Sequence, residues 1–199
     1  MKHPKENVLV IPTALAAELC PTQFGKPRPE LERTILGSHS FRDREEAETN
    51  FSFKQVIPYI VVVNRAGEAQ YLLTQRTSQQ QETRLHNKFS IGQGGHINDH
   101  DFKSKDPILT GLMREVREEF KLAPEYGCSM IGLINDNSSE VAMVHFGLVY
   151  ELRVSSLLLE VAEQGKHVAQ WADVQTLRRH YEVMENWSKL VMDHVICAS

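Results

Sequence analysis

The chain has 199 residues, enough for one domain of ordinary size or one domain with a short N-terminal elaboration. At 41% hydrophobic and 24% charged residues it can build a buried core, and a formal net charge of -4 argues against a protein that grips a nucleic-acid polymer by its backbone charge. Cys20, Cys128 and Cys197 are too scattered for a disulfide framework or a paired-cysteine zinc site, and no apolar run reaches membrane-spanning length, so a soluble cytoplasmic protein is expected.

Residues 1–50 hold five of the eight prolines and a charged stretch from Arg42 to Glu48. They read as an N-terminal extension packed on a main domain of residues 51–199, with one short strand (Val8–Ile11) and one short helix (Ala14–Leu19). So small a segment with so few large apolar groups would be marginal alone. The β-branched run Val56–Val63, the turn Asn64–Glu68 and the segment Ala69–Gln75 predict a β-hairpin. Thr77–Lys88 and Asn98–Lys105 are polar and read as loops. Between them Phe89–Gln93 leads into Gly94-Gly95-His96.

From Pro107 to Leu122 the period becomes helical, with Ile108, Leu112, Val116 and Phe120 at four-residue spacing. Asp106 followed by Pro107 is a helix start, an N-cap and then proline at the first helical position. Met130–Ile134 and Val141–Val154 read as strands joined by the turn Asn135–Ser139. Helices are expected over Ala172–Arg179 and from Tyr181 to about Cys197. Strands on either side of a central helix predict an α/β class, a mixed sheet layered between helices.

The chemistry concentrates on the central helix. At 100° per residue, Glu115, Glu118 and Glu119 fall within an arc of about 100°, beside the apolar stripe. Three carboxylates so placed repel one another unless a cation lies between them, and hard divalent ions take such oxygen ligands. An ordinary solvated acidic face is the alternative. Two features favour the ion: Gly94-Gly95 lets the backbone approach a ligand closely, and Arg114 carries a planar fork that can orient a glutamate or a phosphate. His96 and His100 have the spacing of a helical zinc pair, but Asn98 and Asp99 between them favour a loop.

These residues resemble the Nudix (MutT-type) hydrolase superfamily. Its signature is a glycine, five residues, a glutamate, seven residues, then Arg-Glu-apolar-x-Glu-Glu-x-Gly-apolar. Arg114-Glu115-Val116-Arg117-Glu118-Glu119-Phe120-Lys121-Leu122 matches the second half except at Lys121. The resemblance runs over roughly residues 55–180, through the hairpin, the phrase Phe89–His96 and, more loosely, Trp171. There are three departures. Asp106 stands where the leading glutamate is expected, eight residues before Arg114. Gly95 and Asp106 are eleven residues apart instead of six, which places a five-residue insertion in Asn98–Lys105. Lys121 replaces a glycine, and the helix is expected to run on to Ala123 instead of ending in a left-handed turn.

The resemblance implies a hydrolase that cleaves a phosphate–phosphate bond in a nucleoside diphosphate linked to a second group, or in another diphosphate. It implies Mg2+, with Mn2+ able to substitute, on Glu115, Glu118, Glu119 and the Gly95 carbonyl. The catalytic set would be Glu118, Glu115, Arg114 and Glu163; the general base would be either Glu118 or a carboxylate from outside the helix, Glu163 first, with Glu160 or Glu140 as weaker choices. Arg76 and His96 would contact the substrate. The partners implied are a small-molecule diphosphate or nucleotide and a second copy of the chain in a homodimer. The rival from another class is a nucleotide-binding regulatory module without catalysis. Such modules lose part of the acidic set, and this chain keeps all three glutamates.

Overall fold

Val8, Leu9, Val10 and Ile11 are all buried, so the first apolar run of the chain is an interior strand. The computed structural model describes residues 6–76, 88–121, 126–155, 160–161 and 167–198. In chain order these form β1 (Asn7–Pro12), α1 (Thr13–Leu19), β2 (Phe24–Gly25), α2 (Leu31–Ser38), β3 (Ser40–Asp43), α3 (Arg44–Ala47), β4 (Phe53–Asn64), β5 (Gln70–Arg76), β6 (Phe89–Ser90) and β7 (Gly92–Gly94). There follow α4 (Pro107–Glu119), β8 (Phe120–Lys121), β9 (Tyr126–Ile134), α5 (Glu140–Met143), β10 (His145–Val154), β11 (Glu160–Val161), β12 (His167–Ala172), α6 (Val174–His180) and α7 (Asn186–Val191). The class is α/β, as expected. No helix among the described residues is long and apolar enough to cross a membrane.

The chain forms two compact units. The first gathers residues 1–59, 94–115 and 131–149. Here β1 pairs antiparallel with β3, from Asn7 opposite Asp43 to Val10 opposite Ser40, and with the start of β4, from Val10 opposite Gln55 to Pro12 opposite Phe53. Strand β2 lies on the end of β9, Phe24 opposite Ile134. The N-terminal fifty residues thus hold more structure than one strand and one helix. The short strand β3 (Ser-Phe-Arg-Asp) is mostly polar, and its pairing with β1 supplies what its composition does not.

The second unit gathers residues 60–93, 116–130 and 150–199. The predicted hairpin is present, with Val63 opposite Tyr71 and Asn64 opposite Gln70. Strand β12 covers β5 along six residues and β6 adds two. Asp173 caps α6, its Oδ1 accepting from the Thr176 amide at 2.7 Å.

Three expectations are corrected. Helix α4 does not reach Ala123. It ends at Glu119, because Phe120 and Lys121 leave it to pair with β11, Lys121 opposite Glu160. Extended backbone suits lysine, so the missing glycine costs nothing there. The segment Val141–Val154 is not one strand. Its first residues form α5, capped by the Ser139 hydroxyl, which accepts from the Ala142 amide. The fully buried Lys54 secures this turn, its Nζ donating to the Asp136, Ala142 and His145 carbonyls and to Asn137 Oδ1 at 2.8–3.3 Å. Finally, the helix expected from Tyr181 to Cys197 is broken at Met184 and Glu185. There the backbone pairs with β6, the Glu185 amide donating to the Phe89 carbonyl at 2.9 Å. Ser188, also fully buried, accepts from the Ile91 amide at 3.1 Å.

Candidate active site

Helix α4 begins as expected. Asp106 Oδ1 accepts from the Leu109 amide at 3.0 Å, and Ile108, Leu112 and Val116 are buried. Burial of that stripe fixes the rotation of the helix and so the direction of its acids. Glu115 turns inward and is only 9% exposed, whereas Glu118 is exposed and Glu119 half-buried.

Arg114 holds the site together. Its Nη1 donates to Glu115 Oε1 at 2.7 Å and its Nη2 to the His96 carbonyl at 2.6 Å. Its Nε and Nη2 reach the two oxygens of Asp101 at 3.3 and 3.1 Å. Burial alone would disfavour the guanidinium charge. Its hydrogen bonds to Asp101 and Glu115 outweigh it and hold the Arg114 pKa above its ordinary value. The Glu115 carboxylate lies against Gly95, where a Cβ would fall 1.9 Å from Glu115 Cδ. Only glycine leaves room for it there. A second glycine, Gly111 inside α4, lets Asp101 approach, since a Cβ there would sit 3.1 Å from Asp101 Oδ2.

Asp101 is the residue that the motif reading missed. Asp106, which stands where the leading glutamate is expected, is exposed and serves as the helix cap, as its place before Pro107 predicts. Asp101 is 4% exposed and takes the arginine instead, its Oδ2 also accepting from the Asn98 amide at 2.9 Å. The signal was available, because Asp101 stands six residues after Gly95, the signature's own spacing. The five extra residues follow the acid. They separate Asp101 from Arg114 by thirteen residues and put Asp106 at the signature's distance from the arginine.

His96 follows Gly95 and is largely buried. Burial first, and then the positive charge of Arg44, push its pKa down to about 3, so the ring is neutral at physiological pH. Its Nε2 is buried without a hydrogen-bond partner among the described residues, and its ring centre lies 6.2 Å from that of His145. Arg76 ends β5 opposite His167; its side chain, and Glu163 altogether, lie outside the described residues. Glu160 sits in β11 and Glu140 in the first turn of α5.

The donor set suits a hard divalent cation: three carboxylates at i, i+3 and i+4 on α4, and a glycine cradle against the first of them. As the side chains stand, no three acidic, histidine or cysteine groups among the described residues converge closely enough to hold an ion. Glu115 is drawn to Arg114, so a cation would need the glutamates to turn toward it.

No family model matches the chain. Protein YmaB of Bacillus subtilis is 33% identical over 171 residues, 82% of each chain. The crystal structure of Tm1382, a proposed Nudix hydrolase, superimposes with a TM-score of 0.81 at 30% identity, over 98% of this chain and all of that one. The Nudix domain of Shewanella oneidensis NrtR, crystallised with ADP-ribose, shares the fold at 11% identity, with a TM-score of 0.53 over 73% of this chain and 88% of that one. With this kinship and the arginine–glutamate helix set against Gly95, the chain belongs to the Nudix superfamily and is a hydrolase of the Nudix type.

Proposed function

We propose that this hydrolase cleaves the phosphate–phosphate bond of a nucleoside diphosphate linked to a second group, with Mg2+ as its cofactor and Mn2+ able to replace it. The observation that carries this reading is the Asp101–Arg114–Glu115 chain of hydrogen bonds against Gly95, which presents a buried carboxylate at a backbone cradle. Glu115, Glu118, Glu119 and the Gly95 carbonyl would hold the cation. When bound, it would screen the phosphate oxygens and make a water more acidic.

Within this reading, Arg114 does not touch the substrate. It orients Glu115 through the Nη1–Oε1 hydrogen bond. Glu118, exposed on the same helix, or Glu163 takes the proton from the attacking water as one phosphorus–oxygen bond forms and the bond to the leaving phosphate breaks. His96, being neutral, offers the substrate a hydrogen bond instead of a charge, and Arg76 offers a charge. Retention of all three glutamates supports catalysis over a binding module.

The test is a panel of nucleoside triphosphates, dinucleoside polyphosphates, sugar nucleotides, NADH and ADP-ribose with Mg2+, scored for release of mononucleotide or phosphate. Turnover of at least one compound is expected, falling about 100-fold or more in Glu118→Gln, as loss of a proton-transfer group does. No turnover on any compound, or full activity in Glu118→Gln, would refute the reading.

A further inference from the structure

Five extra residues between Asp101 and α4 ought to slacken the loop that carries Asp101, because each unpinned residue adds conformational entropy that pairing with Arg114 must overcome. The loop is nevertheless tightly held. Asp99 to Lys103 form a 3-10 turn. Before it, the Leu9 amide donates to the Ile97 carbonyl at 2.8 Å, and Val8 and Asn98 form a β-bridge. Asn7 Nδ2 donates to Asp99 Oδ2 at 2.9 Å. After Asp101 the anchor is aromatic. The Phe102 ring packs edge-on to Phe41 of β3 at 4.8 Å between centres and lies 4.6 Å from the His39 ring. His39 and Phe41 also touch, at 5.6 Å. Phe41 is set in turn by its place opposite Leu9 in the β1–β3 ladder.

We propose that Phe102, seated on Phe41 and His39, is a positioning residue for the active site: by pinning the turn next to Asp101 it fixes Arg114, and through Arg114 the carboxylate of Glu115. The insertion then has a role. It reaches the N-terminal segment, so that β1 and β3 form part of the support for the catalytic helix. The effect on turnover rests on the function proposed above, whereas the effect on Arg114 does not.

The test compares Phe102→Ala, Phe102→Leu, Phe41→Ala and a core control, Leu177→Ala in α6, in the full chain. Two quantities are read: kcat and KM on whichever substrate the wild type turns over, and hydrogen exchange of the Arg114 Nε–H by NMR. Phe102→Ala and Phe41→Ala should lower kcat about 10- to 100-fold with KM little changed, since small displacements of reacting groups cost that much. Both should speed exchange at Arg114 Nε. Phe102→Leu, which keeps an apolar contact, should recover most of both properties. Leu177→Ala should lower the melting temperature with kcat and Arg114 exchange unchanged. Wild-type kcat and exchange in Phe102→Ala would overturn the proposal, and so would an equal loss in Leu177→Ala. If the wild type turns over nothing on the panel, the functional reading fails and the exchange rates alone decide the positioning role.

Discussion

Two aspartates five residues apart, both near the start of α4, do different work. Asp101 is buried and shares a guanidinium with Glu115, whereas Asp106 is exposed and caps the helix. Substitution should separate them. Asp101→Ala removes two of the acceptors that hold Arg114, and loss of such a supporting hydrogen bond typically costs about 10- to 100-fold in activity or metal affinity. Asp106→Ala should cost about 1 kcal/mol of stability, the usual value of an N-cap, with activity close to wild type. Steady-state kinetics and thermal melts of the two variants check this; an Asp106→Ala enzyme as impaired as Asp101→Ala would return the pairing role to the helix cap. The glutamates were legible in sequence because helical spacing is periodic. The role of Asp101 was harder to read, since pairing across an insertion depends on where the extra residues bulge, and only the spacing from Gly95 pointed to it.

Elements with one strong local cause were legible, and those decided by distant partners were not. The β4–β5 hairpin follows from two β-branched runs and a turn, and α4 starts at an aspartate–proline cap. By contrast, α4 stops because residues 120 and 121 find a strand partner forty residues on, and the last helix breaks where Phe89 claims the Glu185 amide. Strand β10 shows how a remote partner and a near neighbour together tune charge. Glu151, 4% exposed, accepts from Arg65 Nη2 and from Arg153 Nε, both at 2.7 Å. Burial would raise its pKa, but the two arginines outweigh burial and hold it below the ordinary glutamate value. A carboxylate whose folded pKa is depressed adds stability that is fully present above its unfolded pKa, near 4.5, and is lost as the pH falls through the folded value. Glu151→Gln should therefore melt earlier than wild type at pH 7, and the gap should close as the pH drops below about 4.5. A gap constant from pH 7 to pH 3 would show that the arginines do not stabilise the ionised form.

At the scale of the molecule, composition reads a chain in order whereas contacts do not respect that order. The prolines mark off residues 1–50, yet the compact unit that includes them also takes in residues 94–115 and 131–149, and with them Gly95, Asp101 and Glu115. Metal binding should be felt in global stability for the same reason that any ligand of the folded state is. An ion that binds only the folded chain stabilises it by RT ln(1 + [L]/Kd), about 2.7 kcal/mol when the ion is at 100 times its Kd. In a chain of this size each kcal/mol moves the melting temperature by about 2–4 °C, so saturating Mg2+ should raise it by about 5–10 °C over the chelated protein. Glu118→Gln should lose most of that rise while melting near wild type in chelator, because the exposed Glu118 contributes little to packing. Mn2+ should reproduce the wild-type rise. An equal rise in wild type and Glu118→Gln would place the ion elsewhere on the molecule and remove α4 from its binding site.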